Sequence, residues 1–324
     1  MDISYLLFLQ NLRESGAGFV SDFMLWMSKF AVGFWPIAMA CMVYWVFDRR
    51  AGKKIFAGFG LGLLATGFLK LTFRITRPWL RDSRVLPYGD SKVSATGYSF
   101  PSGHSTFATG LFGGMAWWQR KRNLFLATVL FGAMILTMFS RNFLGVHTPQ
   151  DVLVGMLSTV IMMAVSSKIE DWTDKNTKRD IFVIIGGLLL CVGLILYYQS
   201  INIAELYDEA GTLVINPKVM KADSFEGIGF VSAFAVCRMF ERRFDFDIRL
   251  SKKDRFIISV FALIPLYWWF NNIMPICVPF SRALGRYLTH SGTVVYSMII
   301  VPFVMSKIRL PKWMLEKETE VVKK

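Results

Sequence analysis

Residues 181–198 read IFVIIGGLLLCVGLILYY, eighteen positions without a charged, proline or amide side chain. At a rise of about 1.5 Å per residue a helix of this length covers about 27 Å, close to the roughly 30 Å hydrocarbon core of a bilayer. Five apolar runs precede it, at Phe30–Val46, Ile55–Phe73, His104–Trp118, Leu124–Phe139 and Asp151–Ser167. Three follow, at Phe225–Phe240, Phe256–Phe270 and Ser291–Val304. Several are short, so their ends must extend through polar flanks. The run from Phe225 is the weakest because it carries Glu226 and Arg238. The expected fold is all-α: a polytopic membrane bundle with six core helices and about three more at the C-terminal end.

Composition agrees. The 324 residues are 54% hydrophobic and only 19% charged, whereas soluble domains run about 45–50% apolar with about 25% charged residues. Disorder is excluded by the same figures. The net charge of +14 falls in short clusters between apolar runs, so the expected partner is a lipid bilayer and not nucleic acid. Cys41, Cys191, Cys237 and Cys277 form no C-x-x-C pair, which argues against a zinc knuckle or disulfide framework. Met1–Arg13 lacks the basic n-region of a cleavable signal.

Orientation follows from the basic residues. Asp48–Lys54, Gln119–Asn123, Lys168–Asp180, Glu241–Arg255 and the tail from Ser306 together hold 23 of the 37 Lys and Arg. That side is expected to be cytoplasmic, with the N-terminus outside and the C-terminus inside. The expected division is an interfacial segment at 1–29, a core at 30–199, further transmembrane helices at 200–305 and a basic cytoplasmic tail at 306–324. Six basic residues nevertheless crowd into Lys70–Lys92 on the outer side, and a local excess against the topological rule calls for a functional reason.

Three motifs meet on that outer face. In the first, Lys70 and Arg77 are seven residues apart, two helical turns, so both cations can share a face before Pro78 ends the helix near Arg77. Snorkelling at a span end would explain them equally well if they stood alone. The second is Pro101-Ser102-Gly103-His104, at the start of an apolar run. Free N–H groups and the helix dipole there favour an anion, and His104 could donate a proton; an ordinary N-cap is the plainer reading. The third runs from Ser140-Arg141 to His147-Thr148-Pro149-Gln150-Asp151. Thr148 and Pro149 read as N-cap and N1, and Asp151 is close enough to His147 to fix its tautomer. A buried structural hydrogen bond is the alternative. Two of only three histidines fall in these motifs, and three cations with a helix start suit phosphoryl transfer. No carboxylate cluster suggests a two-metal site, so neither metal nor cofactor is expected.

K-x6-RP, PSGH and SR-x5-H-x3-D, in this order and over Lys70–Asp151, resemble the signature of the type 2 phosphatidic acid phosphatase superfamily at every motif position. The resemblance implies that Lys70, Arg77 and Arg141 hold phosphate oxygens, with hydrogen bonds from Ser102 and Gly103. It implies that His147 attacks phosphorus to form a phosphohistidine, oriented by Asp151, and that His104 protonates the leaving oxygen and then activates water. Pro101 and Ser140 would be supporting. Three spans beyond the core resemble the topology of glucose-6-phosphatase and the sphingosine-1-phosphate phosphatases. Arg282, Arg286 and His290 fall at i, i+4 and i+8 on an outer segment, either a headgroup contact or a solvated face.

The implied function is hydrolysis of a lipid phosphate or diphosphate at the outer face of a multi-pass protein of the bacterial inner membrane. Polyprenyl diphosphate, phosphatidic acid, phosphatidylglycerophosphate and sphingoid phosphates are the candidate lipids. A phosphotransferase would share the phosphohistidine, and a soluble sugar phosphate would suit the nine-span topology. A vanadate-dependent haloperoxidase has a similar site without nine spans. A transporter or scaffold has no need of both His147 and Asp151.

Overall fold

The computed structural model describes residues 2–308 except 17, 94, 209 and 245. The basic tail expected from Ser306 lies outside the described residues after Ile308. In chain order the helices are α1 (Asp2–Ser15), α2 (Gly18–Val32), α3 (Phe34–Phe47), α4 (Arg49–Phe73), α5 (Pro78–Arg81) and α6 (103–119). There follow α7 (Leu124–Phe143), α8 (Pro149–Asp174), α9 (Asp180–Ser200), α10 (Pro217–Asp223), α11 (Phe225–Phe244), α12 (Lys252–Cys277) and α13 (Arg282–Lys307). A small antiparallel hairpin, β1 (Leu206–Tyr207) and β2 (Leu213–Ile215), lies between α9 and α10. The bundle is all-α and polytopic, as its apolar runs imply.

Six helical segments among the described residues are long and apolar enough to cross a membrane, and α2 with α3, meeting at 52°, pass the same test together, as a broken span or a re-entrant pair. The first apolar run therefore begins at Gly18, and the boundary drawn at residue 29 falls inside α2. The remaining two runs of the nine, His104–Trp118 and Phe225–Phe240, form α6 and α11. Both are largely buried by other helices, so their composition is not set by lipid. Lipid-facing sides lie elsewhere, for example at Leu157 and Ile161 on α8, Phe182 and Leu189 on α9, and Phe261 and Ile264 on α12, all exposed.

The buried charges of α11 are paired. Arg238 is fully buried, with Nε 2.7 Å from Glu170 and Nη1 2.7 Å from Asp180. Glu241 meets Arg49 and Lys53, and Glu226 meets Arg286. Removing one partner of such a buried pair strands the other charge, at a cost of about 3–5 kcal/mol. The pairs therefore hold α11 against α4, α8, α9 and α13.

Close backbone approach does the rest, since helices in lipid associate through packing more than through a hydrophobic driving force. A Cβ at Gly227 would lie 2.5 Å from Leu64 N and 2.6 Å from Leu64 Cα. Glycine at this position lets α11 sit directly on the backbone of α4. The central core gathers Phe56 and Phe59 of α4, Phe107 and Leu111 of α6, and Phe230 of α11.

Two local expectations are corrected. Helix α4 ends at Phe73, where Arg74 adopts φ 53 and ψ 36, instead of continuing to Arg77. Proline disfavours helical backbone at the residue before it, and Arg77 is accordingly extended while Pro78 opens α5. The outer segment expected to carry Arg282, Arg286 and His290 is mostly helical: α12 runs to Cys277 and α13 starts at Arg282, capped by the Ser281 hydroxyl. Arg282, Arg286 and His290 thus lie on a helix and not on an outer loop.

Candidate active site

The end of α4 sends two cations into one cavity by different routes. Lys70, still helical, donates Nζ–H to Tyr98 O at 3.0 Å. Arg77 reaches the same cavity from the extended stretch beyond. Its guanidinium is seated on three backbone carbonyls: Nε donates to Gly97 O at 2.9 Å, Nη2 to Thr96 O at 3.0 Å and Nη1 to Val146 O at 3.1 Å. Nη1 also lies 2.9 Å from His147 Nε2. A guanidinium can only donate. Nε2 therefore presents its lone pair, and the neutral ring carries its proton on Nδ1.

On the Nδ1 side stand Ser99 and Asp151. Ser99 Oγ is 3.3 Å from Nδ1 and donates to Asp151 Oδ2 at 2.5 Å. Thr148 N–H also donates to Oδ2, at 2.8 Å, within the capping box that starts α8. Thr148 and Pro149 thus take the N-cap and N1 places read from the sequence. The Asp151 backbone accepts from Ser102 N at 2.9 Å, which ties the second motif to the third. Ser102 caps α6 through Ser105 N–H, so its hydroxyl has a structural task. Gly103 and His104, in the first turn of α6, line the cavity. Pro101 follows a cis peptide bond.

Arg141, in the last turn of α7, is fully buried. Its Nη1 donates to Ser28 Oγ on α2, while Nε and Nη2 have no partner among the described residues. Ser140 bonds Thr137 O within its own helix and stays in a supporting place. Asn142 donates to His147 O at 2.9 Å, bracing the loop that carries the histidine. Burial, with Arg77 and Arg141 nearby, pushes the His147 imidazole well below its ordinary range, against the opposing influence of Asp151.

The cavity has a volume of about 360 Å³. Lys70, Arg77, His104 and His147 line it together with Asp223, Glu226, Arg286 and His290 from the second half of the chain. Arg286 and His290 are thus brought to the site. Arg282 pairs with Asp223 at 3.1 Å behind them. Among the described residues no three His, Cys, Asp or Glu side chains gather in a metal-holding group.

Sequence reasoning missed Ser99, Ser28, Gly155 and the two carboxylates. A Cβ at Gly155 would lie 2.7 Å from Ser102 O, so this glycine admits the Ser102 turn onto α8. The signal for it is its place one turn after Asp151. Ser99 stands only two residues before the PSGH motif. Asp223 and Glu226 lie about seventy residues beyond the third motif, and nothing local announces them.

Residues 51–175, which contain all three motifs, match the PAP2 superfamily. Phosphatidylglycerophosphatase B of Escherichia coli (strain K12) is 39% identical over 74 residues, 22% of this chain and 29% of that protein. The chain thus spans under a third of that relative's length. Undecaprenyl-diphosphatase BcrC of Bacillus subtilis (strain 168) is 28% identical over 149 residues, 44% of this chain and 71% of that protein. No solved structure matches the chain significantly.

Proposed function

We propose that this PAP2-superfamily chain is an integral membrane phosphatase that hydrolyses a lipid phosphate or diphosphate through a phosphohistidine at His147, without a metal ion. One observation carries the reading: the His147 Nε2 lone pair faces the cavity cations while Nδ1–H is held toward Ser99 and Asp151. An imidazole fixed in that tautomer becomes a nucleophile once the Arg77 N–H turns from Nε2 to a phosphate oxygen.

In the proposed first step Nε2 forms a bond to phosphorus as the ester P–O bond breaks. The leaving oxygen takes a proton from His104. Lys70, Arg77 and Arg141, with Ser102 and Gly103 at the start of α6, stabilise charge on the equatorial oxygens. In the second step water attacks phosphorus, its proton passes to His104, the P–N bond breaks and inorganic phosphate leaves. The names of the two relatives support a lipid phosphate as substrate, and the surrounding apolar helices suit an acyl or prenyl tail. The distribution of Lys and Arg supports an active site on the non-cytoplasmic face of a bacterial inner membrane. The helices beyond residue 199 contribute Asp223, Glu226, Arg286 and His290 to the cavity lining.

The test is phosphate release by the purified protein from a panel of lipid and soluble phosphates in excess EDTA. Release that persists with chelator and is lost in His147→Ala is expected. Loss on chelation with rescue by a divalent ion, or full activity in His147→Ala, overturns the mechanism.

A further inference from the structure

A second cavity, of about 310 Å³, lies near the end of α8 remote from Asp151 and shares no lining residue with the catalytic one. Phe56 of α4 and Phe230 of α11 are buried and form its back. Trp172 of α8 and Phe182 and Leu190 of α9 also line it, yet all three are exposed, so the cavity opens sideways between α8 and α9. Its polar wall residues are already bonded within the protein: Ser166 donates to Met163 O, and Glu170 meets Arg238. Water would find few partners there. The chain itself withholds a side chain. Gly186, one turn from both Phe182 and Leu190, lines the cavity, and a Cβ on it would meet nothing within 4 Å. An open apolar slot of this kind forfeits packing until something fills it, and in a bilayer the filler at hand is a hydrocarbon chain.

The rim carries charge that the protein leaves uncompensated. Residues 168–180 hold four carboxylates, and each is taken by a cation of α4 or α11. Glu170 and Asp180 pair with Arg238, Asp171 with Lys54 and Arg50, and Asp174 with Arg50 and Arg242. Lys168, Lys175, Lys178 and Arg179 are left with no carboxylate partner among the described residues. Arg179 stands over the Trp172 ring, its Cζ 4.8 Å from the centroid, which puts a guanidinium beside a residue of the cavity wall. Lys175 and Lys178 are exposed in the same short connection between α8 and α9. Exposed cations at a helix end need no partner when they stand alone. Here they border an apolar slot, and the pair of features is complementary to an amphiphile with a negative headgroup. A zwitterionic headgroup would bring a further cation to the same place.

We propose that the cleft between α8 and α9 binds an anionic phospholipid of the surrounding leaflet, with an acyl chain in the cavity and the headgroup phosphate against Lys175, Lys178 and Arg179. The site is separate from the phosphatase chemistry and stands or falls independently of it.

The experiment titrates the purified protein in detergent with phosphatidylserine and with phosphatidylcholine of the same acyl chains, and reads bound lipid by native mass spectrometry. Wild type is expected to bind its first phosphatidylserine about tenfold more tightly than its first phosphatidylcholine, the scale of one or two basic residues meeting an anionic headgroup. Gly186→Phe, which fills the slot without a clash, should weaken the first lipid of either kind about tenfold. The Lys175→Gln, Lys178→Gln, Arg179→Gln triple variant keeps the slot and should bind the two lipids alike. Should Gly186→Phe melt well below wild type, Leu190→Trp fills the same cleft and takes its place. Equal affinity for both lipids in wild type overturns the proposal. So does a first lipid bound unchanged when the slot is filled, or a preference that survives in the triple variant. A dimer that excludes lipid and is broken by Gly186→Phe would make the occupant a second copy of the chain and overturn it as well.

Discussion

Asp151 Oδ2 lies 3.5 Å from His147 Nδ1, longer than a good hydrogen bond, because it already accepts from Ser99 and Thr148. The Ser99 hydroxyl fills the gap, with Oγ 3.3 Å from Nδ1. The carboxylate thus orients the ring largely through a serine, while Arg77 fixes the opposite nitrogen. The ring is clamped at both ends by residues of separate motifs.

The clamp has a pH consequence. Burial and the nearby Arg77 and Arg141 lower the His147 pKa, so less of the ring is protonated at any given pH. The acid limb of kcat/KM is therefore expected below the ordinary histidine value of about 6.5. Asp151→Asn removes an influence that raises the pKa, so the limb moves further toward acid while the rate drops about 10²–10⁴-fold, as when a histidine loses its orienting carboxylate. Ser99→Ala is expected to lose less, about tenfold, because Asp151 can close on Nδ1 directly. An acid limb at or above pH 6.5 that belongs to His147 contradicts this account.

Arg141 gives a prediction in which stability and activity diverge. Two of its buried nitrogens lack partners among the described residues, a cost that an anion would relieve. Orthophosphate should raise the melting temperature of wild type in detergent. Arg141→Met should abolish that rise and the activity, yet melt no lower than wild type without ligand. An Arg141→Met protein that orthophosphate still stabilises would remove Arg141 from the anion site.

Gly227→Ala tests the packing that fixes the second half of the chain. Its new Cβ would lie 2.5 Å from Leu64 N, which is backbone and cannot swing aside. Overpacking of this kind costs about 1–3 kcal/mol. Thermal unfolding should show the loss. An unchanged melting temperature would mean that α11 is free to shift away from α4.

What was legible in the sequence follows physical range. Apolar runs report directly on lipid contact, so Ile181–Tyr198 could be placed from composition alone. Thr148, Pro149 and Asp151 could be placed because capping is local in sequence. The runs at α6 and α11 are helices too, but they are largely buried by other helices and so do not report on lipid contact. Arg238 looked like an obstacle to a span until Glu170 and Asp180 appeared beside it. Tyr198, at a helix end, is buried and Trp269 Nε1 donates to carbonyls of α13, so both pack on protein and not at the lipid interface. The Asp223–Arg286 pair spans sixty-three residues, and no local pattern encodes such a distance.

Orientation can be read by thiol labelling in intact cells. Ser91, though in the outer segment, is fully buried, whereas nearby Val93 is 76% exposed. In a Cys277→Ser background, Val93→Cys should react with an impermeant reagent. Lys175→Cys, exposed at the opposite end of the bundle, should react only after permeabilisation. The reverse pattern would invert the topology and move the site to the cytoplasmic face.

The two histidines can be separated by their need for a proton. If His147 is the nucleophile, His147→Ala cannot form the P–N bond and no labelled phosphoenzyme accumulates. If His104 is the acid, its importance depends on the leaving group: an alkoxide needs a proton, whereas p-nitrophenolate departs nearly unaided. General acid assistance is typically worth about 10²–10⁴-fold. His104→Ala should therefore lose most of its first step on a lipid monoester and keep measurably more of it on an aryl phosphate, seen as a burst or as trapped phosphoenzyme. Steady-state turnover should stay slow on both, because His104 also takes the proton of the attacking water. Equal loss of the burst on the two substrates, or a burst that survives in His147→Ala, means that the roles are wrongly assigned.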